Sequence, residues 1–136
     1  MREYKFRAKI KNPHVDEWVY GYLVSECYIN EKNKLGYTPV RKETVGQYTG
    51  LHDKNGKEIY EGDIIEFSYD MFIGNFDTFV AKGKIVFEEG AFYVEVFENE
   101  RTTEDEAYLL YSINLDTIEV IGNIYENEEL LNETNR

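Results

Sequence analysis

Residues 3–10 alternate strictly: Tyr4, Phe6, Ala8 and Ile10 fall on one side of an extended chain, and Lys5, Arg7 and Lys9 on the other. A repeat of two places successive side chains on opposite faces of a strand, so this segment is expected to bury one face and leave the other wet. The same period returns in residues 79–87 and 91–97, and no stretch sustains the 3.6-residue period of an amphipathic helix. Composition agrees. Twelve Tyr, eight Phe and one Trp accompany many Ile and Val, side chains that fit a pleated, half-buried surface. The expected fold is mainly β.

Asn12-Pro13 closes the first strand, because proline lacks an amide donor and biases the preceding residue toward extended geometry. Trp18 to Ile29 is a long aromatic and apolar run, with Gly21 marking a bulge or a close backbone approach. Residues 30–34 read as a polar loop, Gly36 to Val40 as extended chain, and Val45 to Gly50 as a connector or brief strand. Asp53-Lys54-Asn55-Gly56-Lys57 contains Asn-Gly, the dipeptide that suits the positive φ of a type I′ hairpin. Tyr60-Glu61-Gly62-Asp63 forms a second turn, in which Asp63 is expected to cap backbone amides.

Two tight turns around a short strand, leading into Ile64-Ile65-Glu66-Phe67, resemble the entry into a small SH3-like barrel. Ser68 to Asp77 reads as a longer loop with exposed aromatics, and 79–87 with 91–97 as a hairpin across Glu88-Glu89-Gly90. Residues 98–106 form an acidic loop, followed by strands at 108–113 and 117–121. Asn127 is positioned to cap a short C-terminal helical turn that opens with Glu128 and Glu129. The expected architecture is a single domain of residues 1–136: an N-terminal β lobe of about 1–50, then a small antiparallel barrel-like part of about 51–126.

A chain of 136 residues can hide roughly two thirds of its unfolded surface, so it needs no metal or disulfide to fold. Cys27 is the single cysteine and excludes an intramolecular disulfide. The opening residues lack a charged-then-apolar leader, and no apolar run approaches the roughly 20 residues of a membrane span. A cytoplasmic protein with no membrane partner is expected, and the Asn132-Glu133-Thr134 sequon carries no weight. The net charge of −12 is lopsided: residues 1–87 hold 13 acidic and 13 basic side chains, residues 88–136 hold 14 acidic and 2 basic. Phosphate neutralisation drives nucleic-acid affinity, so this balance argues against a nucleic-acid partner.

Motifs that carry chemistry are missing. Cys27 has only Glu26 as a charged neighbour, which raises rather than lowers a thiol pKa, and the serines Ser25, Ser68 and Ser112 have no nearby histidine in sequence. His14 and His52 stand alone, without metal-ligand spacing. Asp53-x-Asn55-Gly56 puts its glycine too early for a calcium loop, and Gly50 to Lys57 has one residue too many for a phosphate loop. The carboxylate groups Asp16-Glu17, Glu61 with Asp63, and Glu104-Asp105-Glu106 sit in expected turns or loops, where solvation keeps them from acid–base work. No enzyme and no cofactor is expected.

Residues 44–65, with Gly46, Tyr48, Gly50, Asp53, Asn55, Gly56, Tyr60, Gly62 and Asp63 as their recognisable pattern, resemble the YopX family of phage and prophage proteins. The opening Arg2 to Ala8, Trp18 with Gly21, and Val120-Ile121-Gly122-Asn123-Ile124-Tyr125-Glu126-Asn127 are similar to it as well. Two features depart from the pattern: Glu128 stands where the family's ending has proline, and residues 68–77 are a long insertion. The resemblance implies a mainly β fold, an origin in a phage or prophage of a bacterium, and self-association. It brings no assigned activity and no catalytic residues, and the pattern residues already have structural reasons.

The leading expectation is a non-enzymatic, homo-oligomeric binding protein acting on a bacterial host protein. Its motive is the abundance of aromatics in loops, which bury area at low entropic cost. One alternative is an acidic inhibitor whose residues 88–133 mimic nucleic acid. Another is a single-stranded nucleic-acid-binding barrel using stacked aromatics and the basic strand edge Arg2, Lys5, Arg7, Lys9 and Lys11.

Overall fold

The computed structural model of the protein describes residues 5–32 and 34–132. Expectations resting on Arg2, Tyr4, Asn33 and Glu133 lie outside the described residues. More than half of the chain is strand, arranged in two antiparallel sheets with one short helix. The chain divides into two compact units, Met1–Gly50 and Leu51–Arg136.

In the first unit the strands are β1 (Phe6–Lys9), β2 (Trp18–Ser25), β3 (Tyr28–Glu31), β4 (Thr38–Pro39) and β5 (Gly46–His52), whose last two residues belong to the second unit. Their order is β4-β3-β2-β1-β5. The run from Trp18 to Ile29 is therefore two strands rather than one, with Glu26 and Cys27 at the reversal and Asn30 and Glu31 inside β3. The brief strand expected near residue 46 is a seven-residue one. Ala8, Val19, Ile29 and Val40 are buried together, with Phe6, Leu23 and Val45 packed against them. Gly21 makes the close approach that its sequence suggests, since a Cβ there would fall on the backbone carbonyl of Asn30.

The wet face expected for β1 is not wet. Arg7 and Lys9 are only 5% and 4% exposed. Lys9 lies directly opposite Trp18 in the ladder, and Arg7 opposite Tyr20. The Arg7 guanidinium sits 4.5 Å and the Lys9 ammonium 5.0 Å from the Trp18 ring centroid, contacts that contribute about 0.5–2 kcal/mol each. Lys9 also pairs with Asp16 at 2.6 Å. Alternation correctly separates the two faces, but cation–π stacking and an ion pair allow both to be covered.

In the second unit the strands are β6 (Glu58–Tyr60), β7 (Asp63–Ile73), β8 (Asn75–Glu88), β9 (Ala91–Asn99), β10 (Glu106–Leu109) and β11 (Glu119–Asn123). Five of them form a sheet in the order β10-β9-β8-β7-β11. Its two edges are different strands, so the described residues form an open sheet and do not close a barrel. Ile59, Ile65, Phe67, Ile85, Phe92, Val94, Leu110 and Ile118 make its core. Full burial of one such side chain is worth about 1.5–3 kcal/mol. The segment expected as a strand at 108–113 leaves the sheet after Leu109 for a 3₁₀ turn over Leu110–Ser112, and a second such turn spans Leu115–Thr117. The reversal at Glu88-Glu89-Gly90 is where the sequence puts it, with Glu89 at φ 50° and Gly90 at 82°.

The loop 53–57 is built differently from a type I′ turn. Gly56 takes φ 82°, but Asn55 does not take positive φ. The Gly56 amide donates to the Asp53 carbonyl (3.0 Å), and the Asp53 amide to the Lys57 carbonyl (2.8 Å), giving a three-residue loop that ends on a left-handed glycine. The Asp53 carboxylate, 6% exposed, accepts the amides of Asn55 (2.9 Å) and Lys57 (2.9 Å) on Oδ1 and that of Val120 (3.0 Å) on Oδ2. At the C-terminus the helix α1 covers Glu128–Asn132. The Asn127 side-chain oxygen accepts from the Asn123 amide (3.0 Å), and the Leu130 amide donates to the Asn127 carbonyl (3.0 Å).

Burial pushes the Asp53 carboxyl upward, but the three backbone amides outweigh it and hold the group below its ordinary value. A depressed folded value means that the stabilisation is present above the unfolded pKa of about 3.9 and is lost as pH falls through the folded value. Asp53→Ala should lose about 2–4 kcal/mol in urea unfolding at neutral pH, because three amides lose their acceptor. Its stability should also fall less steeply below about pH 5 than that of the unaltered chain.

Candidate functional site

The nine pattern residues serve turns and packing. Gly46 pairs with Arg7 across the ladder, Tyr48 is buried and donates its amide to the Lys5 carbonyl at 2.7 Å, and Gly50 takes φ 87°. Asp53, Asn55 and Gly56 build the loop described above. Tyr60 is buried, its hydroxyl hydrogen-bonded to Glu58 at 3.0 Å. Gly62 takes φ 93°, with the Tyr125 ring against the space a Cβ would fill. Asp63, 1% exposed, accepts the Tyr60 amide at 2.7 Å. This arrangement leaves their carboxylates engaged with backbone donors. Among the described residues no group of three or more His, Cys, Asp or Glu side chains could hold a metal ion.

A different region faces outward. Residues 68–77, expected as a loop, are strand on both sides of Gly74. β7 and β8 pair without a break from Ile64 opposite Lys84 to Ile73 opposite Asn75, turning at Gly74, which takes φ 76°. β11 accompanies β7 only over Asp63 to Glu66, and β9 accompanies β8 no further than Ala81. Among the described residues, then, 68–79 form a two-stranded arm that no third strand flanks. An isolated two-stranded ribbon is marginal in water, and this one carries apolar rings at its end. Phe72 and Phe76 lie opposite each other with ring centroids 5.3 Å apart, exposed by 64% and 76%, and Ile73 between them is 58% exposed.

The arm is anchored at its base. Tyr69 donates its hydroxyl to Asn99 Oδ1 (2.8 Å) and accepts from Arg101 Nε (3.0 Å). The Arg101 Nη2 then donates to both oxygens of Glu106, at 2.7 and 2.8 Å. With Nε bonded to Tyr69 and Nη2 to Glu106, two edges of the guanidinium are held, and the bonds to the carboxylate are charge-assisted. The network joins β7, β9 and β10. Rings of Phe67, Tyr69, Phe79 and Tyr108 pack around it, with centroids 5.9–6.2 Å apart. Hydrogen bonds to Tyr69, Tyr108 and Glu106 outweigh burial and raise the Arg101 pKa further. Burial first, then the Glu106 hydrogen bond, raises the Tyr108 hydroxyl above its ordinary value, while Arg101 pulls it down.

Beside the anchor is a cleft of about 360 Å³. Phe67, Ser68, Tyr69 and Asp70 of β7, Tyr108 of β10, and Ser112, Ile113, Asn114 and Thr117 line it. None of the nine pattern residues does. Of the aromatics expected to be exposed in 68–77, Phe72 and Phe76 are, whereas Tyr69 is half-buried in the anchor, and the sequence reading misses both the arm and that anchor. Gly74-Asn75 between apolar residues is the hairpin signal that could have shown the turn. Nothing local could have paired Arg101 with Tyr69, which lies 32 residues away.

A family model described as "YopX protein" matches residues 5–132, and the chain belongs to that family. No curated protein matches it.

Glu106→Gln removes one of the groups that raise Tyr108, so the Tyr108 hydroxyl should ionise at lower pH in that variant. Burial should still keep it above an ordinary tyrosine. NMR of the ring carbon that bears the Tyr108 hydroxyl, followed through alkaline pH, reads this directly. An unchanged titration would separate Tyr108 from the Arg101–Glu106 clamp.

Proposed function

We propose that this YopX-family chain is a non-enzymatic, self-associating binding protein of phage or prophage origin that acts on a protein of its bacterial host, in the host cytoplasm. The observation that carries the reading is the arm of residues 68–79, with Phe72, Ile73 and Phe76 held out in solvent. Contiguous exposed apolar groups on a soluble chain mark a surface that another protein covers. Aromatic side chains favour such a role because they bury much area while ordering few torsions. A two-stranded ribbon also gains most from a partner, since packing supplies the burial it lacks alone. No helix among the described residues is long and apolar enough to cross a membrane.

The two alternatives have less to draw on. Charge mimicry needs a face of unpaired carboxylates, yet Glu95, Glu98 and Glu106 pair with Lys84 (3.5 Å), Lys82 (3.2 Å) and Arg101 (2.7 Å). Stacking of single-stranded nucleic acid would draw on the basic strand edge, where Arg7 and Lys9 are buried against Trp18. The open sheet also lacks the closed barrel that this second alternative presumes.

Replacing Phe72, Ile73 and Phe76 together with Ser should weaken self-association by at least about tenfold, because three large apolar side chains lose their burial. Light scattering across a concentration series measures this, and a pull-down from host lysate with the same variant tests the host partner. Unchanged assembly and unchanged capture would remove the arm from the function.

A further inference from the structure

Along an antiparallel ladder every second residue turns its amide and carbonyl away from the partner strand. On β8 one such residue is Val80, whose amide donates to Glu100 Oε2 (3.1 Å) and whose carbonyl accepts the Glu100 amide (3.0 Å). Val80 lies opposite Ser68, so on β7 the outward residues of the arm are Ser68, Asp70 and Phe72. β11 occupies that edge only as far as Glu66. Among the described residues no strand meets the outward backbone groups of Asp70 and Phe72. Such an edge is a template for a further strand, and proteins usually blunt it with Lys, Pro or a bulge. Here Met71-Phe72-Ile73 is uncharged, and the β7–β8 register runs from Ile64 to Ile73 without a shift.

We propose that the outer edge of β7 pairs antiparallel with the same edge of a second copy of this chain, with Phe72 opposite Phe72 of the second copy. The contact is isologous, and each Phe72 amide donates to the other Phe72 carbonyl. Opposite residues share a sheet face, so Phe76, Phe72 and the same two rings of the second copy form one row across four strands. On the other face Met71 stands opposite Ile73 of the second copy, and Ile73 opposite its Met71. Asp70 and Asp77 are the only charged residues of the arm. In this register Asp70 lies opposite Gly74 of the second copy, and Asp77 sits on β8, away from the contact. A slip of two residues would set Asp70 against a Phe72 ring, and a slip of four would set it against Asp70 of the second copy. The outer edge of β8 is less suited, because Asn75 and Asp77 flank Phe76 there and Glu100 already holds Val80.

Phe72 and Phe76 are 64% and 76% exposed, so the two rings bring at most about 200–350 Å² per copy to the contact. Ring burial from both copies falls short of the roughly 1,200 Å² of a stable interface, so the dimer is weak and forms as concentration rises. The inference rests on the self-associating reading above and names the contact it uses.

Two substitutions in the full chain separate backbone pairing from ring burial. Phe72→Val and Phe72→Pro both replace the ring with a small apolar side chain, but only proline also removes the outward amide, a donor the β7–β8 ladder does not use. Sedimentation equilibrium should show Phe72→Pro dimerising at least about tenfold more weakly than Phe72→Val. Cysteines read the register independently. With Cys27→Ser as background, Phe72→Cys should give a disulfide-linked dimer under mild oxidation, and Phe76→Cys should not. Opposed Phe72 positions lie about 5.5 Å apart between Cα atoms, within disulfide reach, whereas Phe76 positions lie three strand spacings of about 4.8 Å apart. Equal weakening by valine and proline, or linkage through Phe76→Cys rather than Phe72→Cys, would overturn the β7 edge contact and leave self-association through the arm standing. A chain that is monomeric at every concentration and forms no linkage would overturn both.

Discussion

The Asp53 carboxylate holds the second unit together at a point that no strand ladder reaches alone. Its two oxygens accept amides from residues 55 and 57 in one loop and from Val120, which lies 67 residues further on. A buried carboxylate without donors would cost several kcal/mol, so the three amides are a requirement of its burial rather than an addition to it. By fixing Val120, Asp53 places β11 on the edge of β7, where Val120 pairs with Ile65. The register of β7 then sets which side chains enter the core and which leave it, because a slip of one residue would exchange the two faces.

The arm follows from that register. Ile65 and Phe67 face the core with Ala81 and Ile85, and the same ladder carries on past the end of both flanking strands. Beyond that limit no third strand flanks the ribbon among the described residues, and Phe72 and Phe76 pack on each other while staying largely exposed. The Arg101–Glu106 ion pair and the Tyr69 hydroxyl tie the base of the ribbon to β9 and β10. A projecting hairpin of this kind is expensive for a chain to keep exposed. An acidic surface offsets the hazard by disfavouring unselective aggregation.

Much of the fold was legible where the cause is local. Period-two alternation marked β1, β8 and β9, and Glu89-Gly90 marked their shared reversal, because both signals come from backbone geometry within a few residues. Asp63 was readable as an amide cap for the same reason. Asn55-Gly56 showed a turn but not its type, since the Asp53 side chain, through a contact with Val120 remote in sequence, helps select a three-residue loop. The burial of Arg7 and Lys9 was hidden because charge reads as solvation until a ring such as Trp18 is found opposite. The cleft and its anchor were hidden most completely. They join Tyr69, Arg101 and Ser112 from separate elements, and only the folded register makes them neighbours.

Amide hydrogen exchange of the free chain, measured residue by residue at low and at high protein concentration, tests the central claim most directly. If the arm is the surface through which the protein binds, amides around 71–77 should exchange rapidly when dilute and become protected as concentration rises, while those of residues 63–67 stay protected throughout. Concentration-independent exchange in the arm, with protection appearing elsewhere, would contradict the account.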